Sequence, residues 1–208
     1  MTTLLHLSAS SRGDASFSRQ AAARWLRGLA DTPPRLVERD LARDPLPHPD
    51  RAMVEASLMP PEQRGVAQHA ALALSETLIA ELESADAVLI STPMYNFTVP
   101  SALKAWIDLV VRPNRTFRNT PTGKVGMLAD RPVMVLVSCG GRFEEGAGSQ
   151  QDFLTPYLQY VFGAIGITQV EVLRMERMAW GPDFARLGLE SIGAPVLAGL
   201  TRLGQIQR

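Results

Sequence analysis

A doubly wound α/β fold is predicted by two features of this 208-residue sequence. Short apolar runs alternate with longer stretches of helical spacing, the pattern of βαβ units around a parallel sheet. One of those runs, Val133-Met134-Val135-Leu136-Val137, is continuously apolar and rich in β-branched residues, as expected of a strand covered on both faces.

Taken in order, Leu4 to Leu7 reads as the first strand, and a polar turn, Ser8 to Ala15, follows it. A helix then starts near Ser16, with Ala21, Ala22, Trp25, Leu26 and Leu29 on one face. Arg35 to Glu38 is the second strand, and the Pro-rich segment from Asp44 to Pro61 reads as loop. The next helix carries Ala67, Ala70, Ala71, Leu74, Leu78 and Leu82 on one stripe. Ala87 to Ser91 is the third strand. A helix from Pro100 to Val111 follows, and Pro100 suits a first turn because its missing N–H costs nothing there. After the long segment Arg112 to Asp130 comes the fourth strand, Val133 to Val137. Helix Asp152 to Phe162 and strand Val170 to Leu173 complete five units. The stretch after Pro182 has helical character, with a break expected near Gly193 and Pro195. Five strands with intervening helices predict a flavodoxin-like, three-layer fold with a five-stranded parallel sheet, in one domain over residues 1–208.

Composition narrows the function. Twenty-one basic residues balance twenty-one acidic ones, so no overall field favours nucleic acid or an anionic membrane. Cys139 is the single cysteine, which excludes an internal disulfide and agrees with a reducing cytoplasm. Met1-Thr2-Thr3 lacks the basic start of a secretory leader, and no apolar run has the length of a membrane span. The expectation is a cytoplasmic protein with no membrane partner.

In a doubly wound sheet, the turns after strands one, three and four leave the same edge, where ligands bind. The first turn sets Ser8, Ser10, Ser11, Ser16 and Ser18 beside Arg12 at a helix start. Free N–H groups and the helix dipole favour an anion such as a phosphate there. The ordinary alternative is capping by Ser16, which accounts for one serine only. Neither G-x-G-x-x-G nor G-x-x-x-x-G-K-[ST] occurs, which points to a monophosphate rather than a dinucleotide or a triphosphate. The second turn, Met94-Tyr95-Asn96-Phe97, offers a thioether, two rings and an amide to a planar ligand. Its competing reading is that Tyr95 and Phe97 plug the top of the core. The third, Ser138-Cys139-Gly140-Gly141, lets backbone approach a ligand and point N–H groups at it, although a Gly-Gly pair is also ordinary turn chemistry.

The remaining candidates are weaker. His6, His48 and His69 lack metal-ligand spacing and read as structural or solvated. Cys139 stands at a strand end with no histidine near it in sequence, so it reads as a small apolar filler rather than a nucleophile. No G-x-S-x-G elbow is present. Arg19, Arg24 and Arg27 read as a solvated helix face.

Ser10, Ser16-Phe17-Ser18, Pro93-Met94-Tyr95-Asn96-Phe97 with Val99-Pro100 and Leu103-Lys104, Thr116-Phe117-Arg118, Thr122-Gly123-Lys124, Ser138 with Gly140-Gly141, and Pro156-Tyr157-Leu158 leading to Gly163-Ala164-Ile165-Gly166-Ile167 occur in one order along the chain. This series resembles the FMN-dependent NADH:quinone oxidoreductases, also called FMN-dependent NADH azoreductases. The resemblance implies a flavodoxin-like homodimer with bound FMN, reducing quinones by two electrons and cleaving azo compounds at the expense of NADH. It implies that Ser10, Ser16, Phe17 and Ser18 hold the FMN phosphate. Met94, Tyr95, Asn96 and Phe97 would line the ring, and Ser138, Cys139, Gly140 and Gly141 would face its polar edge. Similar sequences often carry arginine where this one has Cys139. Chemistry would rest with the flavin, with no protein acid, base or nucleophile assigned. A flavin-bound electron carrier or redox-sensing protein with little turnover is the alternative, since such folds serve both uses.

Overall fold

Strand and helix alternate through the computed structural model, which describes residues 2–29, 33–143, 146 and 148–192. The elements are β1 (Thr3–Ser8), α1 (Phe17–Arg27), β2 (Arg35–Asp40), α2 (Arg51–Leu58), α3 (Val66–Ser84), β3 (Ala87–Pro93), α4 (Ser101–Val110), β4 (Phe117–Thr120), β5 (Gly123–Gly126), β6 (Val133–Ser138), α5 (Leu154–Ala164), β7 (Val170–Met175) and α6 (Pro182–Ser191).

β1, β2, β3, β6 and β7 form one parallel sheet in the order β2-β1-β3-β6-β7. The chain winds outward one way from β1 and the other way from β3, so the switch point lies between these two strands. Alternate residues of each central strand face opposite layers. Leu5, Leu7, Val88, Ile90, Val133, Val135 and Val137 pack against α3, α4 and α5, while Leu4, Leu89, Met134 and Leu136 pack against α1 and α6. Apolar burial on both sides is what the continuous runs in β3 and β6 encode.

Three details differ from the sequence expectation. The segment 44–61 contains helix α2, whose N-terminus is capped by Asp50 accepting the Met53 N–H at 2.8 Å. Its eight residues bury only Met53, Ala56 and Ser57, too short a stripe to stand out between prolines. In α3 the buried stripe is Leu72, Ser75, Leu78, Ile79 and Leu82, rotated from the expected one, so that Ala67 and Ala70 are exposed and Ala71 and Leu74 only half-buried. The long segment 112–130 is not plain loop: β4 and β5 pair antiparallel as a hairpin. The hairpin is held where Leu128 N–H donates to the Ile165 carbonyl at 3.0 Å, and a Cβ on Gly126 would fall on the backbone of Gly166. Gly193 and Pro195, where a helix break was expected, lie outside the described residues.

Candidate flavin site at the carboxyl edge of the sheet

Backbone hydrogen bonds hold the three turns side by side. Ala9 N–H donates to the Ser91 carbonyl, Met94 N–H to the Ser138 carbonyl, and Cys139 N–H to the Met175 carbonyl, all at 2.8–2.9 Å. Each turn is thus tied to the neighbouring strand. The first and third turns lie about 10 Å apart, two strand spacings.

In the first turn, Ser16 is the N-cap of α1, and its hydroxyl oxygen accepts the Arg19 N–H. Ser10, Ser16 and Ser18 are 1%, 2% and 0% exposed, so their polar atoms need partners. The protein satisfies them only in part. Ser10 Oγ accepts the Arg12 N–H at 3.4 Å, and Ser16 Oγ and Ser18 Oγ lie 3.1 Å apart. Whichever of that pair donates, the other hydroxyl's proton is left over, and the Ser10 proton has no acceptor. Ser8 Oγ, at the end of β1, has no hydrogen-bond partner among the described residues. The backbone N–H groups of Ser11, Phe17 and Ser18 likewise meet no acceptor among the described residues. A cluster with spare donors and few acceptors fits an acceptor-only group such as a phosphate.

The second turn is built differently. Tyr95 N–H donates to the Thr98 carbonyl at 3.0 Å and Thr98 N–H returns to the Tyr95 carbonyl at 3.1 Å. Between them Asn96 (φ 47°) and Phe97 (φ 70°) both sit in the left-handed region, the geometry of a type I′ turn. Two consecutive non-glycine residues in that region store strain. The turn lifts its rings away from the core: Tyr95 is 39% and Phe97 49% exposed, which removes the core-plug reading. Met94 is half-buried below them and Asn96 is exposed.

In the third turn, the Cys139 side chain is buried in the core and its backbone is occupied on both sides, since Met178 N–H also donates to the Cys139 carbonyl. Burial pushes its thiol up to about 12, so it stays protonated and inert. The filler reading holds. Gly140 and Gly141 differ from it, because neither N–H has an acceptor among the described residues. Gly141 also leaves room for the Gln150 side chain, which a Cβ would meet. The loop after β7 backs this turn, with Arg177 N–H donating to the Gly141 carbonyl at 2.8 Å.

The three turns at the carboxyl edge carry Ser10 and Ser16 to Ser18, Met94 to Phe97, and Ser138 to Gly141, but two of these residues correct the sequence expectation: the Cys139 side chain is buried in the core with its backbone groups occupied, and Phe17 packs toward α6. Arg19 corrects the sequence expectation. It is half-buried and pinned rather than solvated, donating through Nη1 and Nη2 to both Asp40 carboxylate oxygens and through Nε and Nη2 to the Ser10 carbonyl. Arg24 and Arg27 are exposed, as expected. Arg19 escaped sequence reasoning because its partners, Ser10 and Asp40, lie outside its own helix.

His6 is also buried, within β1. One ring nitrogen lies 3.0 Å from Ser91 Oγ and the other 3.4 Å from Glu38 Oε1. This order of carboxylate, imidazole and hydroxyl lies within the sheet with Ser91 fully buried, so it serves packing rather than attack on a substrate. A cavity of about 490 Å³, lined by residues such as Trp25, Ala87, Met134 and Gln169, opens at the opposite edge of the sheet.

Fold and site together define the class: a flavodoxin-like protein whose sheet edge combines spare anion donors with an aromatic turn. The chain belongs to the FMN-dependent NADH:quinone oxidoreductase family. A family model described as a flavodoxin-like fold matches residues 2–192. FMN-dependent NADH:quinone oxidoreductase 2 of Cupriavidus pinatubonensis is 66% identical over 196 residues, covering 93% of this chain and 95% of that protein. FMN-dependent NADH:quinone oxidoreductase 5 of Burkholderia lata is 47% identical, with 90% of each chain covered. Among solved structures, an azoreductase from Bacillus anthracis superposes with a TM-score of 0.80 at 25% identity, over 94% of this chain and 99% of that one.

Proposed function

We propose that this chain is an FMN-dependent oxidoreductase that uses NADH to reduce quinones by two electrons and to cleave aromatic azo compounds reductively. Its 66% identity to a family member supports the activity. One structural observation carries the cofactor assignment: buried serine hydroxyls with spare protons stand beside exposed rings on a strained turn. One end suits an anion and the other a flat apolar surface, as FMN requires.

When bound, FMN supplies the hydride chemistry that amino-acid side chains lack. The chain supplies position and electrostatics. Ser10, Ser16 and Ser18, with the N–H groups that open α1, would hold the phosphate. Met94 to Phe97 would line the ring, and the Gly140 and Gly141 N–H groups would stabilise negative charge at its polar edge. Cys139 contributes only by filling the core beneath. In this reading NADH and the electron acceptor would occupy the site in turn, which predicts ping-pong kinetics. By family resemblance we infer a cytoplasmic homodimer, with residues 1–208 acting as one domain. No helix among the described residues is long and apolar enough to cross a membrane.

The test is anaerobic NADH added to yellow holoprotein. Rapid bleaching, reversed by benzoquinone, supports the reductase. A flavin that stays oxidised would point to the electron carrier instead.

A further inference from the structure

We propose that Arg19 is a positioning residue that sets the geometry of the phosphate-binding turn by bridging it to the end of β2. This inference rests on the reading that the FMN phosphate occupies the turn between β1 and α1.

Three segments meet at this side chain. Its backbone N–H donates to the Ser16 cap at 3.4 Å, which places the residue one step beyond the Ser16–Ser18 triplet. Its guanidinium forms a two-pronged ion pair with Asp40, both contacts at 2.7 Å. From the same group, Nε and Nη2 donate to the Ser10 carbonyl at 3.1 and 2.7 Å. Asp40 is itself fixed, since its Oδ1 also accepts the N–H groups of Ala42 and Arg43 at 3.2 and 3.1 Å. The following residue, Leu41, donates its N–H to the Ser8 carbonyl at 2.8 Å. Arg19 is thus a strut between a rigid strand end and an otherwise exposed turn.

Peptide geometry gives the strut its function. In a trans peptide the carbonyl of one residue and the N–H of the next point in opposite directions, and the described residues contain no cis bond. Holding the Ser10 carbonyl toward Arg19 therefore directs the Ser11 N–H away from it, where no protein acceptor waits. The same grip sets the position of Ser10 Oγ. Positive charge alone does not achieve this, because Asp40 neutralises it. The planar fork is required, with donors facing Asp40 and Ser10 at once. Lysine keeps the charge but cannot span both partners in that geometry.

The test compares FMN with riboflavin, which lacks the phosphate, as ligands of apoprotein by fluorescence titration. The ratio of their dissociation constants isolates the phosphate contribution. Wild type is expected to prefer FMN by at least a hundredfold. Arg19→Gln and Arg19→Lys should each cut that ratio tenfold or more, with riboflavin affinity within twofold of wild type. Asp40→Asn, which weakens the anchor without touching the turn, should cut it by a smaller factor and serves if the Arg19 variants do not fold.

A wild-type ratio near one would overturn the phosphate assignment itself. A normal wild-type ratio that survives in Arg19→Lys would show that charge alone suffices and would overturn the positioning role. Equal weakening of FMN and riboflavin would mark general loss of structure and would also overturn it.

Discussion

Tyr95 and Thr98 exchange both of their backbone hydrogen bonds across a two-residue turn whose central residues, Asn96 and Phe97, have positive φ. Glycine is the residue such a turn favours at its second central position. Phe97→Gly should relieve the left-handed strain, stabilising apoprotein by up to about 1 kcal/mol after the added chain entropy of glycine is counted. It should also weaken FMN several-fold by removing a ring. Thermal unfolding of apoprotein and an FMN titration would show the two changes in opposite directions.

Gly141 tests whether the backbone N–H groups of the third turn act on the flavin. Gly141→Pro removes the donor, and turnover of the FMN-loaded protein should fall by roughly tenfold or more, in line with the loss of one oriented donor. Gly141→Ala keeps the donor but intrudes on the Gln150 side chain. That side chain can swing aside, so Gly141→Ala combined with Gln150→Ala should retain most of the rate. Steady-state kinetics at saturating FMN would separate the two.

Burial holds the His6 imidazole below its ordinary value of 6.5, with Glu38 opposing the shift. As pH falls below 6.5, the unfolded chain takes up this proton before the folded chain does. The stability associated with neutral His6 is therefore complete above that pH and lost as pH falls from 6.5 toward the folded-state value. His6→Gln should flatten the fall in melting temperature between about pH 7 and pH 5.5, and the difference between the two proteins isolates this residue.

Burial pushes the Cys139 thiol up to about 12, so the reactive thiolate is scarce at neutral pH. Alkylation of native protein should be at least a hundredfold slower than in denaturant. Cys139→Ser replaces an apolar filler with a buried hydroxyl and should cost about 1–2 kcal/mol, read by denaturant unfolding.

The central strands were legible because burial leaves a direct mark on composition: β6 is covered on both faces, and its residues read that way in isolation. The three site turns were legible from residue type, since serines at a helix start and a Gly-Gly pair at a strand end carry their own chemistry. What stayed hidden depends on long-range pairing. Arg19 looks like any arginine on a polar helix face until Asp40, on a neighbouring strand, is placed 2.7 Å away. The α2 helix and the β4–β5 hairpin are too short for periodicity to announce them. Ala67 and Ala70 misled because alanines are too small and too common on either face of a helix to fix which stripe its neighbours cover.

The close approach of Gly126 to Gly166 divides the hairpin into two zones of unequal freedom for evolution and for engineering. At its base, neither position tolerates a side chain, because Gly166 has φ +104° and a Cβ on either would strike backbone. At its tip, Pro121 and Thr122 are exposed, and insertions there disturb no packed neighbour. Diversification of this element should accordingly be confined to the tip, with the two base glycines kept fixed.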